Sequence, residues 1–246
     1  MFRDKKLRVI RSLLLVASVL VAVPALGSDD VAHHATILNE VQKHLDGARD
    51  CEANGTPEIA AAHANLVLVD DEVTYAVQFV GIKNNLHDRC EKALQGALDA
   101  WEKSLDDTIS FREITDPAQA DIVIRFKPDV MMGKEPVAGY ANWKRTLKFD
   151  GPKVQSVSFK SDLQIRTINL SGGSMPFECV RHEIAHEVGH ILGLEDSDMT
   201  GDLMGPLDIA HPVGGPQPYE ASAVRHLRDE AHKLRTDALA RCTKTN

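Results

Sequence analysis

The sequence predicts an α+β fold: a twisted, mostly parallel sheet backed by helices, with a further long helix at the C-terminal end. Three observations point to it. Segments 74–80, 109–111, 120–126 and 158–169 carry the β-branched or alternating pattern of strands. Segments 29–50, 86–101 and 219–240 repeat apolar residues at three- and four-residue spacing, as amphipathic helices do. Between the last strand and the last helix lies a run of histidines and acids, Arg181 to Pro206, followed by a loop dense in proline and glycine.

Taken in order, residues 1–27 read as a secretory signal. Arg3, Lys5, Lys6, Arg8 and Arg11 precede the apolar run Ser12 to Leu26, and the small residues Ala25 and Gly27 place cleavage after Gly27. That run is short for a membrane span, and no stop-transfer pattern follows it. Residues 29–50 form a helix with Val31, Ile37, Leu38, Val41 and Leu45 inward and His33, His34 and His44 on its solvated side. The stretch Ala53 to Glu58 gathers turn residues and marks the clearest break in the chain.

Thr74 to Val80 alternates and reads as a strand, and Asn85 is placed to cap a helix whose inner face is Ala93, Leu94, Ala97, Leu98 and Trp101. Ile109 to Phe111 and Ala120 to Phe126 give two more strands; the second is almost continuously apolar up to Arg125, as in a strand covered on both faces. Trp101 and Phe126 belong to the core. Ser158 to Asn169 alternates, and Ser171 to Ser174 leads into a helix beginning near Pro176. After the Pro/Gly-rich loop, which carries His211 on its surface, Tyr219 to Ala240 turns Ala223, Val224, Leu227, Leu234 and Leu239 inward and leaves His226 and His232 exposed.

The chemistry concentrates in His186, Glu187, His190, Gly193 and Asp196, which spell H-E-x-x-H-x-x-G-x-x-D. Two histidines four apart on a helix lie one turn apart on one face, so both rings reach one ion. Glu187, beside the first of them, is placed to act as general base. Gly193 lets the chain turn at the helix end, and Asp196 returns with a carboxylate as third metal ligand. A second register, His182, Glu183 and His186, fails because Leu192 occupies its third-ligand position. His182 is therefore structural or stands behind the ligands. A chance match to the full string in a chain of this composition is about one in four thousand.

The segment GLEDSDMTGDLMGP resembles the end of a matrixin active site, with a Leu-Met-x-Pro Met-turn. Met204 follows His186 by 18 residues, the family's spacing, and would lie under the metal as an apolar floor with Pro206 fixing the turn. The departure is Asp196, where matrixins have His; an aspartate there resembles the snapalysin group of secreted metzincins. Ala138 to Trp143 looks like the family's antiparallel edge strand bordering the cleft, with Tyr140 and Trp143 either flanking the groove or packed in the core. The stretch Pro128 to Ala138 departs from vertebrate matrixins and offers only Asp129 and Glu135 as acids, so no second zinc is expected and calcium only weakly. A thiol at Cys51 could instead cap the metal as the family's prosegment thiol does, but the family's fuller motif is missing around it.

The resemblance implies a metzincin-like catalytic domain over residues 71–246. It implies one zinc on His186, His190 and Asp196, with hydrolysis of peptide bonds in a protein or peptide substrate and Glu187 as the base. Residues 28–70 are either a removable prosegment or a permanent extension. The alternative is an exported zinc- or peptide-binding module without turnover. A third option is a zinc hydrolase of another amide, such as a cell-wall peptide.

Composition narrows the partners. Lys and Arg number 28 against 36 Asp and Glu, and removing the five basic residues and one acid of residues 1–27 takes the formal charge from −8 to −12. An acidic protein is a poor partner for nucleic acid or an anionic membrane. Export makes the protein secreted or periplasmic. Four cysteines in an exported chain, Cys51, Cys90, Cys179 and Cys242, predict two disulfides with three possible pairings. There is no internal repeat, nucleotide-binding glycine loop or nucleophile elbow.

Overall fold

The computed structural model describes residues 35–151 and 153–243, all within one compact unit. The expected signal segment and the histidines at 33 and 34 lie outside the described residues. No described helix is long and apolar enough to cross a membrane.

The predicted helix near the N-terminus is α1, Asn39–Ala53, and it bends at Asn54 and Gly55 into α2, Pro57–Leu68. Sequence reading passed over α2. Its segment PEIAAAHANLVL buries Ala60, Ala61, Ala62, Ala64, Leu66, Val67 and Leu68, so it lacks the one-sided stripe that identifies a surface helix. His44 is also not solvated: its Nδ1 lies 3.1 Å from Nδ1 of His63 on α2.

The main sheet holds β1 (Glu72–Phe79), β2 (Ser110–Glu113), β3 (Ile122–Lys127), β6 (Gly139–Asp150) and β7 (Lys153–Arg166), in the order β2-β1-β3-β7-β6. The first three contacts are parallel, and β6 runs antiparallel to β7 at the edge. This is the α+β metzincin-like arrangement expected. The edge strand runs beyond the Ala138 to Trp143 expected and continues past Trp143 into a long hairpin with β7. Strand β3 alternates between buried and half-buried residues, so its second face is only partly covered. A small hairpin, β4 (Val130–Met132) with β5 (Glu135–Val137), occupies the stretch that departs from vertebrate matrixins.

Helix α3 (His87–Ser104) packs Cys90, Ala93, Leu94, Ala97, Leu98 and Trp101 inward. It is entered through a short 3-10 turn, and Asn85 provides no side-chain cap. Helix α4 is Phe177–Ile191 and α5 is Pro218–Cys242. On α5 the inward face is Ala221, Val224, Leu227, Arg228, Ala231 and Ala238; Leu239 points to solvent, and half-buried His232 sits 3.2 Å from Asp71.

The four cysteines correct the disulfide expectation, since none is joined in a disulfide. Cys90 and Cys179 are buried in the main core, and burial pushes the Cys90 thiol up to about 11. Cys51 packs against Ala60, Ala61 and Ala238 between α1, α2 and α5, a cluster that contains none of the metal donors.

Candidate metal centre and cleft

Helix α4 carries His186 and His190 on one face, and the backbone fixes both rings. Nδ1 of His186 donates to the carbonyl of Leu203 at 2.9 Å, and Nδ1 of His190 to that of Leu194 at 2.8 Å. A carbonyl can only accept, so each ring holds its proton on Nδ1 and presents a lone pair on Nε2. Gly193 takes φ +107°, a region open to glycine, and reverses the chain there. The reversed segment is clamped from outside: Leu38 N–H donates to Gly193 O and Glu195 N–H to Thr36 O, each at 2.8 Å.

That clamp delivers Asp196. Its Oδ1 lies 3.3 Å from Nε2 of His186 and 3.3 Å from Nε2 of His190, and no pair among the three ligand atoms exceeds 4.8 Å. A tetrahedron with bonds of about 2.0–2.1 Å has edges of about 3.3–3.4 Å, so both spacings suit zinc. Two lone pairs and a carboxylate aimed at one another also call for a cation between them. Without one the groups share protons. Burial pulls His186 down, but the bond to Asp196 and the charges of Glu187 and Glu183 carry it up to about 9, while the two rings hold Asp196 well below the usual carboxylate range. Among the described residues this is the single cluster of three such side chains.

Met204 is buried directly under α4. A methyl group on Gly189 would stand 2.3 Å from its sulfur, so only glycine in the H-E-V-G-H run lets the Met-turn come this close. The turn is held from two sides. Glu220 on α5, almost fully buried, accepts from the N–H of Met204 at 2.8 Å and of Leu203 at 3.3 Å. Ser197 N–H donates to Met204 O at 2.7 Å, and its hydroxyl donates to Asp202 at 2.6 Å. His182 is structural: its Nδ1 accepts from Val213 N–H at 3.1 Å and pins the loop after the turn to α4. Burial and the neighbouring His186 push it down to about 4.

Glu187 is 5% exposed and receives a hydrogen bond from the Ala141 backbone of β6. Burial raises its carboxyl above the usual range, against the pull of His186 and His190. Beside it opens a cleft of about 440 Å³ between the start of β6, α4, the Asp196–Asp198 loop and the Met204–Leu207 segment. Helix, loop and edge strand thus surround one catalytic-looking constellation.

The family model described as Peptidase_M10, Matrixin, matches residues 68–212, more than half of the chain. The chain belongs to the matrixin family. No curated protein matches it. Matrixins are zinc-dependent peptidases, hydrolases acting on protein or peptide substrates, and this matrixin presents a donor set that fits the family's catalytic zinc. The site residues read from sequence, His186, Glu187, His190, Asp196 and Met204, are brought to one place.

Sequence reasoning placed Trp143 at the groove or in the core without tying it to the donors, and it missed Arg145 and Glu220 as supports of this matrixin's site. Trp143 stacks on His190 with centroids 6.0 Å apart, and its Nε1 donates to Glu40 of α1 at 3.0 Å. Arg145, 8% exposed, donates to Leu66 O at 2.8 Å and to Ile191 O at 2.9 Å, joining α2 and β6 to the end of α4. Burial lowers it to about 10. Neither contact is local, so no sequence spacing announces it. Glu220 was accessible: Gln217 and Glu220 form a capping box, a pattern readable from the sequence.

Proposed function

We propose that this matrixin is an exported zinc-dependent endopeptidase in which His186, His190 and Asp196 hold the metal and Glu187 is the general base. The observation that supports this best is the convergence of two imidazole lone pairs and one carboxylate oxygen, 3.3 Å from each, beside a buried glutamate in an open cleft. Zinc in that position supplies a Lewis acid toward a peptide carbonyl and makes water easier to deprotonate. Glu187 takes a proton from the attacking water and passes it to the leaving amine. The edge strand β6 offers its free side to an extended peptide by strand addition, which gives affinity with little dependence on side chains.

The extension over residues 28–70 belongs to the working enzyme in this reading, because its described part supports the ligands. Thr36 and Leu38 clamp the Asp196 loop, and Glu40 and Leu66 hold Trp143 and Arg145. The test is Glu187→Ala assayed on casein or a peptide library. Cleavage is expected to fall by about 10²–10⁴ while zinc stays stoichiometric. Equal rates in parent and variant would favour the binding module without turnover.

A further inference from the structure

We propose that Glu183 makes this cleft select a cationic side chain, lysine or arginine, next to the scissile bond; the inference rests on the peptidase reading above. Glu183 lies one turn before Glu187 on the same face of α4 and lines the same cleft. It is 6% exposed, and its carboxyl accepts no hydrogen bond among the described residues. A methyl group placed on Gly139, at the start of β6, would stand 2.6 Å from Oε1 of Glu187 and 2.9 Å from Oε2 of Glu183. Both carboxyls therefore come to the same point of the edge strand where a peptide would lie, and only one of them is needed as a base.

A buried carboxylate without a donor is costly, and structures that keep one usually hold a cation against it. Here the positive charge that faces it is His186, a ring given over to the metal site, and no lysine or arginine among the described residues stands against it. Glu183, Glu187, Asp196 and Asp198 line the cleft, and among the described residues no lysine or arginine lines it. Burial and the adjacent Glu187 raise the Glu183 carboxyl to about 7, against the pull of His186. Val137, Pro206 and Leu207 give the same cleft apolar walls. Lysine and arginine match this pair of surfaces, an apolar stem against the walls and a charged head on the acid. A neutral side chain in that place would leave the acid without a partner, so discrimination follows from the unpaired group as much as from the paired one.

The test uses the zinc-loaded full chain and fluorogenic peptides differing only at the residues flanking the scissile bond, with Lys, Arg, Leu or Asp in turn. The parent is expected to favour Lys and Arg over Leu at one flanking position by about tenfold or more in kcat/KM, and Glu183→Gln to reduce that ratio about tenfold. A parent that prefers the apolar peptide overturns the proposal. So does a Glu183→Gln variant that slows every peptide alike, since that is the signature of a merely structural acid. If the zinc-loaded parent cleaves no peptide, the peptidase reading fails on its own, and the Kd values of the same labelled peptides decide the selection. Tighter binding of the Lys peptide that Glu183→Gln abolishes supports it, and equal Kd values for Lys and Leu overturn it.

Discussion

At the scale of single residues, Asp196 and Glu220 carry different burdens. Asp196 is mostly exposed and held through its backbone, so replacing it leaves the fold intact and removes one of three donors. Asp196→Ala is expected to weaken zinc binding by more than the roughly 10–100-fold that supporting residues of metal sites are worth, read by competition with a chelator. Glu220→Ala leaves the N–H groups of Leu203 and Met204 buried without an acceptor and should destabilise the protein by about 2–4 kcal/mol in chemical denaturation. Because Leu203 O orients the His186 ring, the same variant also loses zinc affinity, whereas Glu220→Gln keeps an acceptor and loses less. The ligands were legible in the sequence because helical spacing and one glycine bring them together within eleven residues. Glu183 was seen only as the centre of a failed motif register. Its meaning comes from Gly139, 44 positions earlier, which no local pattern links to it.

At the scale of elements, the α1–α2 hairpin is the part that sequence reading located least well and that the site leans on most. Leu38, Val41, Leu45, Leu66, Val67 and Leu68 are all buried in it. Each such side chain contributes about 1.5–3 kcal/mol before the entropy of ordering is set against it, a total comparable to the net stability of a whole domain. A chain beginning at residue 71 is therefore expected to give no cooperative thermal transition and no stoichiometric zinc. The hairpin also contains a pH-sensitive contact. Burial, with the nearness of His63, lowers His44, and burial lowers His63; Glu40 opposes the shift of His44 and Arg145 of β6 reinforces it. A histidine lowered in the folded state takes up protons preferentially on unfolding, so stability falls as pH drops below the ordinary value of 6.5. Melting the parent and a His44→Gln/His63→Gln variant at pH 7.5 and pH 5 should show a larger loss of Tm in the parent. Helix α2 escaped prediction for a physical reason. It is surrounded by α1, α5 and the β6–β7 hairpin, and an element buried on every side has no polar face to reveal its period.

At the scale of the molecule, the order β2-β1-β3-β7-β6 puts β6 at one edge of the sheet, and α4 packs against it with the imidazole donors toward its C-terminal end. The parallel strands were legible because each carries its own local pattern, whereas the edge strand was expected only from the resemblance of Ala138 to Trp143 to the matrixin edge strand. The longer hairpin beyond Trp143 was not legible, since its outer residues stay largely exposed and its packing partner, α2, is distant in sequence. The donors arrive from two elements: α4 gives the imidazoles and the clamped loop gives the carboxylate, while the Met-turn and α5 hold both in register. A metal seated among them ties these elements together, so zinc should stabilise the whole unit by mass action. At free zinc about 100 times Kd the gain is about 2.7 kcal/mol, which for a domain of this size raises Tm by roughly 5–10 °C. The imidazoles must be deprotonated to bind, so the increment shrinks in acid and returns on neutralisation. Differential scanning calorimetry with zinc, with chelator and after zinc is restored measures it directly. An identical Tm in all three at pH 7.5 would mean that no ion couples to this fold, and Asp196→Ala, already deprived of a donor, should show that flat response by design.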